Sequence, residues 1–441
     1  MGVVYIISLA TWVHLWFFCM LIDFSVANFR SFRERQTLSF VAASRLPRKE
    51  NTFQPDVEGE SLPDLLKVAV VYGPNASGKS NLLRALDALK DIVDLAPSAK
   101  AQKLPVAPFR FDPELLHKPS EFEVNFIAGR RRFRLTLGAT QDRIVHERLV
   151  EFPKGRESLL YERLYEDGAE GYTFGEDLEG EESVHETWRL LTSPQRMFLA
   201  QAVANSSEQL QQLRPPLAWL SRNLRTVPAR MPAETLVKVT QVLAEEPGFP
   251  TEDLVTFIRD LDIPVTAVKF DQIDKRRPDE DIDSFTERLR AHLSSAAKVK
   301  AVLTHNSALG DAIFDFEEES GGTQNLLGFF FLWWSLRNMQ PEPSLMAIDE
   351  FDSSLHPQIV ASLVKKHIEL GLPKQLLFTT HDTHLMDTKI LRRDQIWLTE
   401  RDINGATQLR AVHDFEGRES EDIEKRYYEG RYRGLPILRE S

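Results

Sequence analysis

The sequence has a single cysteine, Cys19, in 441 residues. So few thiols exclude an internal disulfide framework and a metal site built from several cysteines. Sustained heptads of apolar residues are also lacking, so a long coiled coil is not supported. Lys and Arg are fewer than Asp and Glu. The resulting net charge of −12 argues against a protein that coats nucleic acid nonspecifically, although a local basic groove stays compatible with it.

The N-terminal segment lacks charge, since residues 2–22 contain no Lys, Arg, Asp or Glu. Its length allows a membrane span, but it has neither a basic start nor a small-residue cleavage site, which argues against a secretory signal. The chain from Met20 onward resembles the start of an edge strand. We therefore interpret residues 1–19 as an extension outside the fold, with a membrane anchor and a folded helix as the alternatives, and expect a cytoplasmic protein.

The remaining composition is that of an ordinary globular protein, with 42% hydrophobic and 27% charged residues. The length allows two or three domains. Alternating apolar and polar residues predict a strand pair at 22–30 and 38–41, and an antiparallel meander that includes 122–126, 133–137 and 144–152.

A glycine-rich turn joins the apolar run Val68–Tyr72 to a helical pattern. The turn fits G-x-x-x-x-G-K-[ST], in which small residues let backbone N–H groups surround phosphate oxygens. The helix after it would place its positive dipole end near the same phosphates. Lys79 would reach the β- and γ-phosphates, and the Ser80 hydroxyl would bind Mg²⁺. The residues predicted to bind ATP are Gly73, Pro74, Asn75, Ala76, Ser77, Gly78, Lys79, Ser80 and Asn81.

A second turn rich in small residues, Ser320, Gly321, Gly322 and Thr323, precedes an apolar helix at 326–336. Serine and glycine at a helix N-terminus can bind an anion, but by itself this pattern is a weak signal. The helix is too short and too interrupted to span a membrane.

An acidic pair follows the short apolar run Leu345–Ile348. Asp349 is placed to bind Mg²⁺, directly or through water, and Glu350 to polarise the attacking water. Farther along, the apolar run 375–380 ends at His381. Ligands bind at the carboxyl ends of parallel strands, so we expect His381 to contact a γ-phosphate.

Other residues carry weaker indications. His356 and His384 are further candidate site residues beside His381. Arg130, Arg131, Arg132 and Arg134 form a cluster that is either a phosphate-binding patch or a solvent-facing hairpin tip, and the hairpin tip is favoured. Residues 167–186 are acidic and predict an exposed loop, and the pattern from 187 to about 261 is helical.

The order of these parts resembles the ABC-type ATPases of the RecF, SMC and OLD group. The match is closer to the stand-alone AAA-type ATP-binding proteins associated with abortive-infection and restriction loci. It is carried by residues 22–32, 319–323, 349–357, 379–382 and 427–436, and is vague between 161 and 316. In such ATPases a short signature motif contacts the nucleotide of the partner subunit, and residues 320–324 resemble it. They read Ser-Gly-Gly-Thr-Gln, which departs from the longer Leu-Ser-Gly-Gly-Gln of transporters and SMC proteins.

The resemblance implies an α/β P-loop head of the ABC type, with an antiparallel β subdomain and a mainly helical insertion. More than half of the chain separates Lys79 from Asp349, which also favours an inserted domain. We expect an extension at 1–19, an N-terminal ATPase lobe at 20–160, an insertion at 161–300 and a C-terminal lobe at 301–441.

The resemblance also implies ATP and Mg²⁺ as ligands, and a head-to-tail dimer or larger assembly. In such a dimer the signature of one subunit, residues Ser320 to Thr323, would complete the ATP site of the other. The first functional hypothesis is an antiphage-defence ATPase that hydrolyses ATP to ADP and phosphate and controls a separately encoded effector. The second is a RecF-like DNA-maintenance ATPase that binds DNA directly. A transporter ATPase fits less well.

Overall fold

The computed structural model describes residues 19–96, 102–227, 251–272, 299–338, 344–353, 355–371, 373–386, 389–417 and 421–432. The chain divides into two compact units. The first comprises residues 1–226, 340–351 and 364–441, and the second comprises residues 227–339 and 352–363.

The described residues form both strands and α-helices, and most strands follow one another in runs between the helices. The strands are β1 (Met20–Ala27), β2 (Gln36–Ser39), β3 (Thr52–Phe53), β4 (Leu65–Leu66), β5 (Val68–Tyr72), β6 (Ser120–Ala128), β7 (Arg131–Ala139), β8 (Ile144–Glu151), β9 (Ser158–Glu166), β10 (Ala169–Phe174), β11 (Leu224–Val227), β12 (Val265–Gln272), β13 (Val299–Ser307), β14 (Gly310–Asp315), β15 (Leu345–Ile348), β16 (Gln375–Thr379), β17 (Ile396–Arg401) and β18 (Thr407–Ala411). The α-helices are α1 (Lys79–Val93), α2 (Glu182–Leu191), α3 (Phe198–Ala204), α4 (Arg214–Ala218), α5 (Thr251–Arg259), α6 (Gly321–Asn338), α7 (Pro357–Glu369) and α8 (Ile423–Tyr428).

The first unit contains a seven-stranded antiparallel sheet in the order β10-β9-β8-β7-β6-β1-β2. Its central strands alternate buried with partly exposed residues, because one face packs on the core and the other meets solvent. The predicted strand pair and meander are therefore confirmed. The acidic loop predicted at 167–186 is wrong in part, because β10 lies within it and pairs with β9. Tyr172 and Phe174 pack against the core, an alternation that the acidic composition obscured.

A six-stranded sheet in the order β11-β15-β16-β5-β17-β18 forms the other half of this unit. Strands β15, β16, β5 and β17 run parallel. Every residue of β5, β15 and β16 is buried, as expected for parallel strands covered on both faces. Because parallel strands end at one edge, the segments after Tyr72, Ile348 and Thr379 meet there. This arrangement confirms the predicted α/β class with an antiparallel subdomain.

A side-chain amide joins the two sheets. Leu21 N donates to Gln375 Oε1 at 2.7 Å, and Gln375 Nε2 donates to the Leu21 carbonyl at 2.8 Å. Gln375 thus bonds to β1 as a strand residue would, from the first position of β16. A core cluster that includes Leu21, Val71 and Leu377 continues from one sheet to the other.

The second unit holds α5, α6 and a three-stranded antiparallel sheet in the order β12-β13-β14. Its core contains Leu254, Leu303 and Phe330. This division differs from the expected insertion at 161–300. Residues 161–226 pack with the first unit because Tyr161, Trp188 and other side chains of this stretch are buried in its core.

The N-terminal segment lies mostly outside the described residues. Cys19 is buried and belongs to the core of the first unit, so the described fold begins one residue before the expected position. Met20 opens β1, as the sequence indicated. Among the helices of the described residues, none has the length and apolar character needed to cross a membrane.

Candidate functional site

The turn after β5 is a tight loop in which three residues have positive φ angles. Gly73, Ala76 and Gly78 have φ angles of 151°, 61° and 107°. A Cβ atom added to Gly73 would come within 2.3 Å of Thr399 Oγ1, and one added to Gly78 within 2.0 Å of Thr407 Oγ1. Only glycine fits at these two positions, for both conformational and steric reasons. Within this loop Asn75 and Ala76 are exposed and Pro74 is half-buried.

Threonine hydroxyl groups of the neighbouring strands β17 and β18 form hydrogen bonds with this loop and with the end of β5. Ser77 Oγ lies 2.6 Å from Thr399 Oγ1, which donates to the Tyr72 carbonyl at 3.0 Å. Thr407 Oγ1 donates to the Ser77 carbonyl at 2.7 Å. Sequence reasoning missed both threonines, because they lie more than 300 residues beyond the loop in strands without a motif.

Lys79 begins helix α1 and folds back over the loop. Its side chain is buried, and its Nζ donates to the carbonyl oxygens of Gly73 and Pro74 at 2.7 and 3.2 Å. The ammonium group therefore lies at the same place as the N-terminal end of the helix dipole. Both carry positive charge, so this position favours an anion such as a phosphate.

Asn81 lies in the first turn of α1. Its Nδ2 donates to Ser31 Oγ at 2.8 Å, and Ser31 Oγ is 2.7 Å from Thr407 Oγ1. The segment after β1, which carries part of the family resemblance, thus contacts the start of the helix. The sequence placed Asn81 in the nucleotide site without indicating this partner.

Ser80 and Asp349 meet at the edge of the parallel sheet. Ser80 Oγ donates to Asp349 Oδ1 at 3.0 Å, and Thr379 Oγ1 donates to the same oxygen at 2.7 Å. Hydroxyl and carboxylate oxygens are ligands that Mg²⁺ accepts, and this ion usually takes its other ligands from water and phosphate. The donor set of Ser80 and Asp349 therefore fits Mg²⁺ bound together with a triphosphate. In the described ranges, no three His, Cys, Asp or Glu side chains are grouped so that they could hold a metal by themselves.

Glu350 is exposed and has a left-handed backbone, with φ of 47°. Its N–H donates to Thr379 Oγ1 at 2.7 Å, and the next N–H, that of Phe351, donates to the Thr379 carbonyl at 2.9 Å. Phe351 is buried against Phe378, which fixes the turn. A non-glycine residue in this region is uncommon, and such backbone strain is often found at functional sites.

His381 follows β16 and is exposed at the same edge of the sheet. The next residues form a compact turn. Asp382 N donates to Thr380 Oγ1 at 2.9 Å, and His384 Nδ1 lies 2.8 Å from Asp382 Oδ1. Thr383 Oγ1 donates to Glu424 at 2.5 Å, which connects the turn to helix α8. His384 is therefore paired with Asp382.

One carboxylate near the site was missed. The pKa of Asp87 on α1 is raised above its usual value, mainly by burial and also by repulsion from Asp349. Hydrogen bonding to Thr226 and attraction to Lys90 lower it only in part. The helical periodicity alone assigned Asp87 to neither the core nor the site.

The four hairpin arginines face carboxylates. Arg130 lies 3.0 Å from Asp56, and Arg131 lies 3.4 Å from Glu151. Arg132 lies 2.9 Å from Glu60. Arg134 pairs with Glu157. These contacts favour the hairpin-tip interpretation over a phosphate-binding patch.

The signature turn, residues 320–324, belongs to the second unit. Exposed Ser320 caps α6, since its Oγ accepts from Thr323 N at 3.2 Å. Gly321 and Gly322 form the first turn of the helix. Gln324 Nε2 donates to the carbonyls of Phe316 and Glu319 at 3.0 and 3.2 Å. His356, also in this unit, accepts from Gln358 N at 3.3 Å and so caps α7.

A family profile described as "AAA domain, putative AbiEii toxin, Type IV TA system" matches residues 68–387. This range is well over half of the chain and extends from β5 past His381. Among curated protein sequences, none matches the chain.

Several solved structures are similar. An SMC head domain from Thermotoga maritima is 14% identical, with 89% of this chain and 98% of that chain covered and a TM-score of 0.38. An Smc head bound to the C-winged helix domain of ScpA is 13% identical, with 89% and 97% covered and a TM-score of 0.39. An Smc head with an extended coiled coil, bound to the C-terminal domain of ScpA derived from Pyrococcus furiosus, is 11% identical, with 89% and 96% covered and a TM-score of 0.41. With identities and TM-scores this low, these likenesses add nothing to what the motifs and the geometry support.

Proposed function

Because the chain belongs to the AAA domain family described as the AbiEii toxin type, we propose that it binds ATP with Mg²⁺, hydrolyses it and works as a nucleotide-gated switch. The observation that carries this proposal is the convergence of Lys79, Ser80, Asp349 and Glu350 at one edge of the parallel sheet. Ser80 and Asp349 come from motifs 269 residues apart and lie 3.0 Å from each other.

Each residue has a separate task in this proposal. The loop amides and Lys79 hold the β- and γ-phosphates. Ser80 and Asp349 hold Mg²⁺, which neutralises phosphate charge when bound. Thr379 keeps Asp349 in place and fixes the turn that presents Glu350.

Hydrolysis requires a positioned water. Glu350 would accept a proton from the water that attacks the γ-phosphorus, while the bond to the β–γ bridging oxygen breaks and ADP leaves. His381 would donate a hydrogen bond to a γ-phosphate oxygen. The exposure of Glu350 and His381 leaves both side chains accessible to substrate.

The signature turn would act on a second copy. Exposed Ser320 and the helix start at Gly321 offer a hydroxyl and backbone N–H groups, which together form an anion site. We propose that this site contacts the γ-phosphate held by the partner, giving a head-to-tail dimer or a larger assembly that opens after hydrolysis.

The biological setting is proposed on the family description alone. That description names a toxin of a type IV toxin–antitoxin system, which supports a role in abortive infection with a separately encoded effector. Co-purification from the native host tests this, since a nuclease-like or toxin-like neighbour should come down with the protein. The hairpin arginines are paired with carboxylates, so they lend the DNA-maintenance alternative no support.

The first experiment is the mass in solution of Glu350→Gln with and without Mg-ATP. A switch of this kind should bind ATP, fail to hydrolyse it and double its mass. A constant monomer would remove the signature from the site. Normal turnover by this variant would remove Glu350 from catalysis. Lys79→Ala in the same background is the control, because it should stay at the nucleotide-free mass.

A further inference from the structure

One glutamate of an acidic run is turned away from solvent. Glu317 and Glu318 are exposed, whereas the side chain of Glu319, which directly precedes the signature turn, is only 7% exposed. Its Oε1 lies 2.7 Å from His305 Nε2, within hydrogen-bond distance. Buried carboxylates are costly without a partner, so this contact accounts for the position of the Glu319 side chain.

His305 is a rigid partner because of its place in the sheet of the second unit. It lies on β13, the middle strand, opposite Val265 on β12 and Ala312 on β14. Its ring meets the Phe314 ring edge to face, with 5.1 Å between centroids. The backbone of His305 is therefore fixed by strands on both sides, and its imidazole packs against Phe314 of β14.

Glu319 also belongs to the signature turn through its main chain. Its carbonyl accepts from Gln324 Nε2 at 3.2 Å, and the same amide bonds the Phe316 carbonyl. The residue thus joins the sheet through its side chain and the turn through its backbone. A change in the direction of its side chain would be transmitted to the adjacent peptide of Ser320.

The charge of Glu319 matters as much as its position. The proposed ligand of the signature turn is a γ-phosphate, which is an anion. If the Glu319 carboxylate left His305, it would become a second anion beside that phosphate. Two neighbouring like charges repel, most strongly where water is excluded.

From this geometry we propose that His305 is a positioning residue for the signature turn, which keeps the Glu319 carboxylate against the sheet and away from a phosphate bound to a second copy. This inference rests on the proposed function. It adds a requirement that the signature motif itself does not contain.

The test measures ATP-dependent self-association of the full chain in the Glu350→Gln background by sedimentation. We expect His305→Leu to weaken association about tenfold or more, because it leaves a buried carboxylate unpaired. ATP binding by the monomer should not change. His305→Gln, which keeps a donor, should retain most of the association. His305→Leu combined with Glu319→Gln should recover it in large part, because the charge is gone.

Recovery of association in the double variant distinguishes a role of His305 in positioning the Glu319 charge from a role in packing alone. If the double variant associates as weakly as His305→Leu alone, the charge is irrelevant and the proposal is overturned. The matched control is His146→Leu, which removes a histidine 2.9 Å from Glu162 in the antiparallel sheet and should leave association unchanged. An equal loss in both histidine variants would also overturn the proposal.

Failure of the proposed function has a different result. If the parent Glu350→Gln protein does not associate with ATP, or if Ser320→Arg has no effect on it, the signature in trans is wrong. If the parent associates, Ser320→Arg abolishes this and His305→Leu has no effect, only the inference about His305 is wrong.

Discussion

The contacts that stabilise the P-loop site join residues far apart in sequence, whereas those that stabilise the signature turn join near neighbours. In the P-loop site, the bonds Ser80–Asp349 and Ser77–Thr399 join residues 269 and 322 positions apart. In the signature turn, Ser320 bonds to Thr323 and Gln324 bonds to Phe316, which are 3 and 8 positions apart.

The difference has a consequence for folding and for mutation. A site built from distant segments exists only once the parallel sheet is assembled, since loop closure must precede those contacts. A turn built from neighbours forms with its own helix. Changes to the parallel sheet should therefore damage the P-loop site and leave the signature turn intact. Changes to the signature turn should damage that turn and leave the P-loop site intact.

The largest effect is expected from Lys79→Ala. It removes the cation at the mouth of the loop, and ATP binding should weaken more than about 100-fold, because charge-assisted bonds to the phosphates are lost. Titration with a fluorescent ATP analogue measures this. Lys90→Ala is the control, since Lys90 lies on the same helix and pairs with Asp94. Retained binding in Lys79→Ala would show that the nucleotide lies elsewhere.

The next effect concerns His367 on α7. Burial lowers its pKa from 6.5 to about 4, although hydrogen bonds that the imidazole makes to the backbone at Lys374 and Lys67 raise it. The unfolded chain therefore binds a proton at His367 below pH 6.5, whereas the folded chain binds it only near pH 4. Stability is fully present above pH 6.5 and falls as the pH decreases toward 4, by about 3 kcal/mol from this group.

Denaturant unfolding between pH 7 and pH 4 measures that loss. His367→Gln cannot titrate and should flatten this part of the profile, whereas His117→Gln, at an exposed position, should not. Lys67 and Lys374 directly precede β5 and β16, so the acid effect reaches the sheet that carries the P-loop site. An unchanged profile in His367→Gln would assign the acid loss to other groups.

A smaller effect is expected from Thr379→Val. It removes the hydroxyl that donates to Asp349 and accepts from Glu350 N, which should destabilise the protein by about 1–2 kcal/mol. Hydrolysis should fall about tenfold with ATP binding largely retained, because Glu350 loses its support. Steady-state kinetics separate the two. Thr37→Val, which removes a hydroxyl bonded to Ser25, is the matched control, and an equal loss of turnover there would contradict the role of Thr379.

The same contrast explains what the sequence could predict. Motifs are local, so the strand Val68–Tyr72, the loop and the pair at Asp349 were identified, and the antiparallel meander followed from its alternation. Thr379, Thr399 and Thr407 were not assigned roles, because each supports the site from a strand that is distant in sequence. No local pattern distinguishes such a threonine from any other strand residue.

The difference between the expected insertion at 161–300 and the second unit has a similar cause. Residues 161–226 contain helical patterns interrupted by prolines, which favoured a separate domain. Arg163 and Glu147 are almost fully buried, and Glu147 accepts from the N–H groups of Phe198 and Leu199 at 2.8 and 3.0 Å. These bonds tie α3 to the antiparallel sheet. A buried ionic residue in a strand carries no sequence signal for its partner.

The smallest effect is expected from Ser320→Ala. It removes the cap of α6 and should cost about 1 kcal/mol, felt as fraying of the first helical turn, which hydrogen exchange at Gly322 and Thr323 would detect. ATP binding to the P-loop site should not change, because the contacts described for that site come from residues of the loop and of the six-stranded sheet. Turnover should fall only severalfold, since the N–H groups of the helix remain, whereas Ser320→Arg fills the proposed phosphate position and should stop it. If Ser320→Ala instead abolished ATP binding by the monomer, the two regions would not be independent, and the contrast between distant and local contacts would fail.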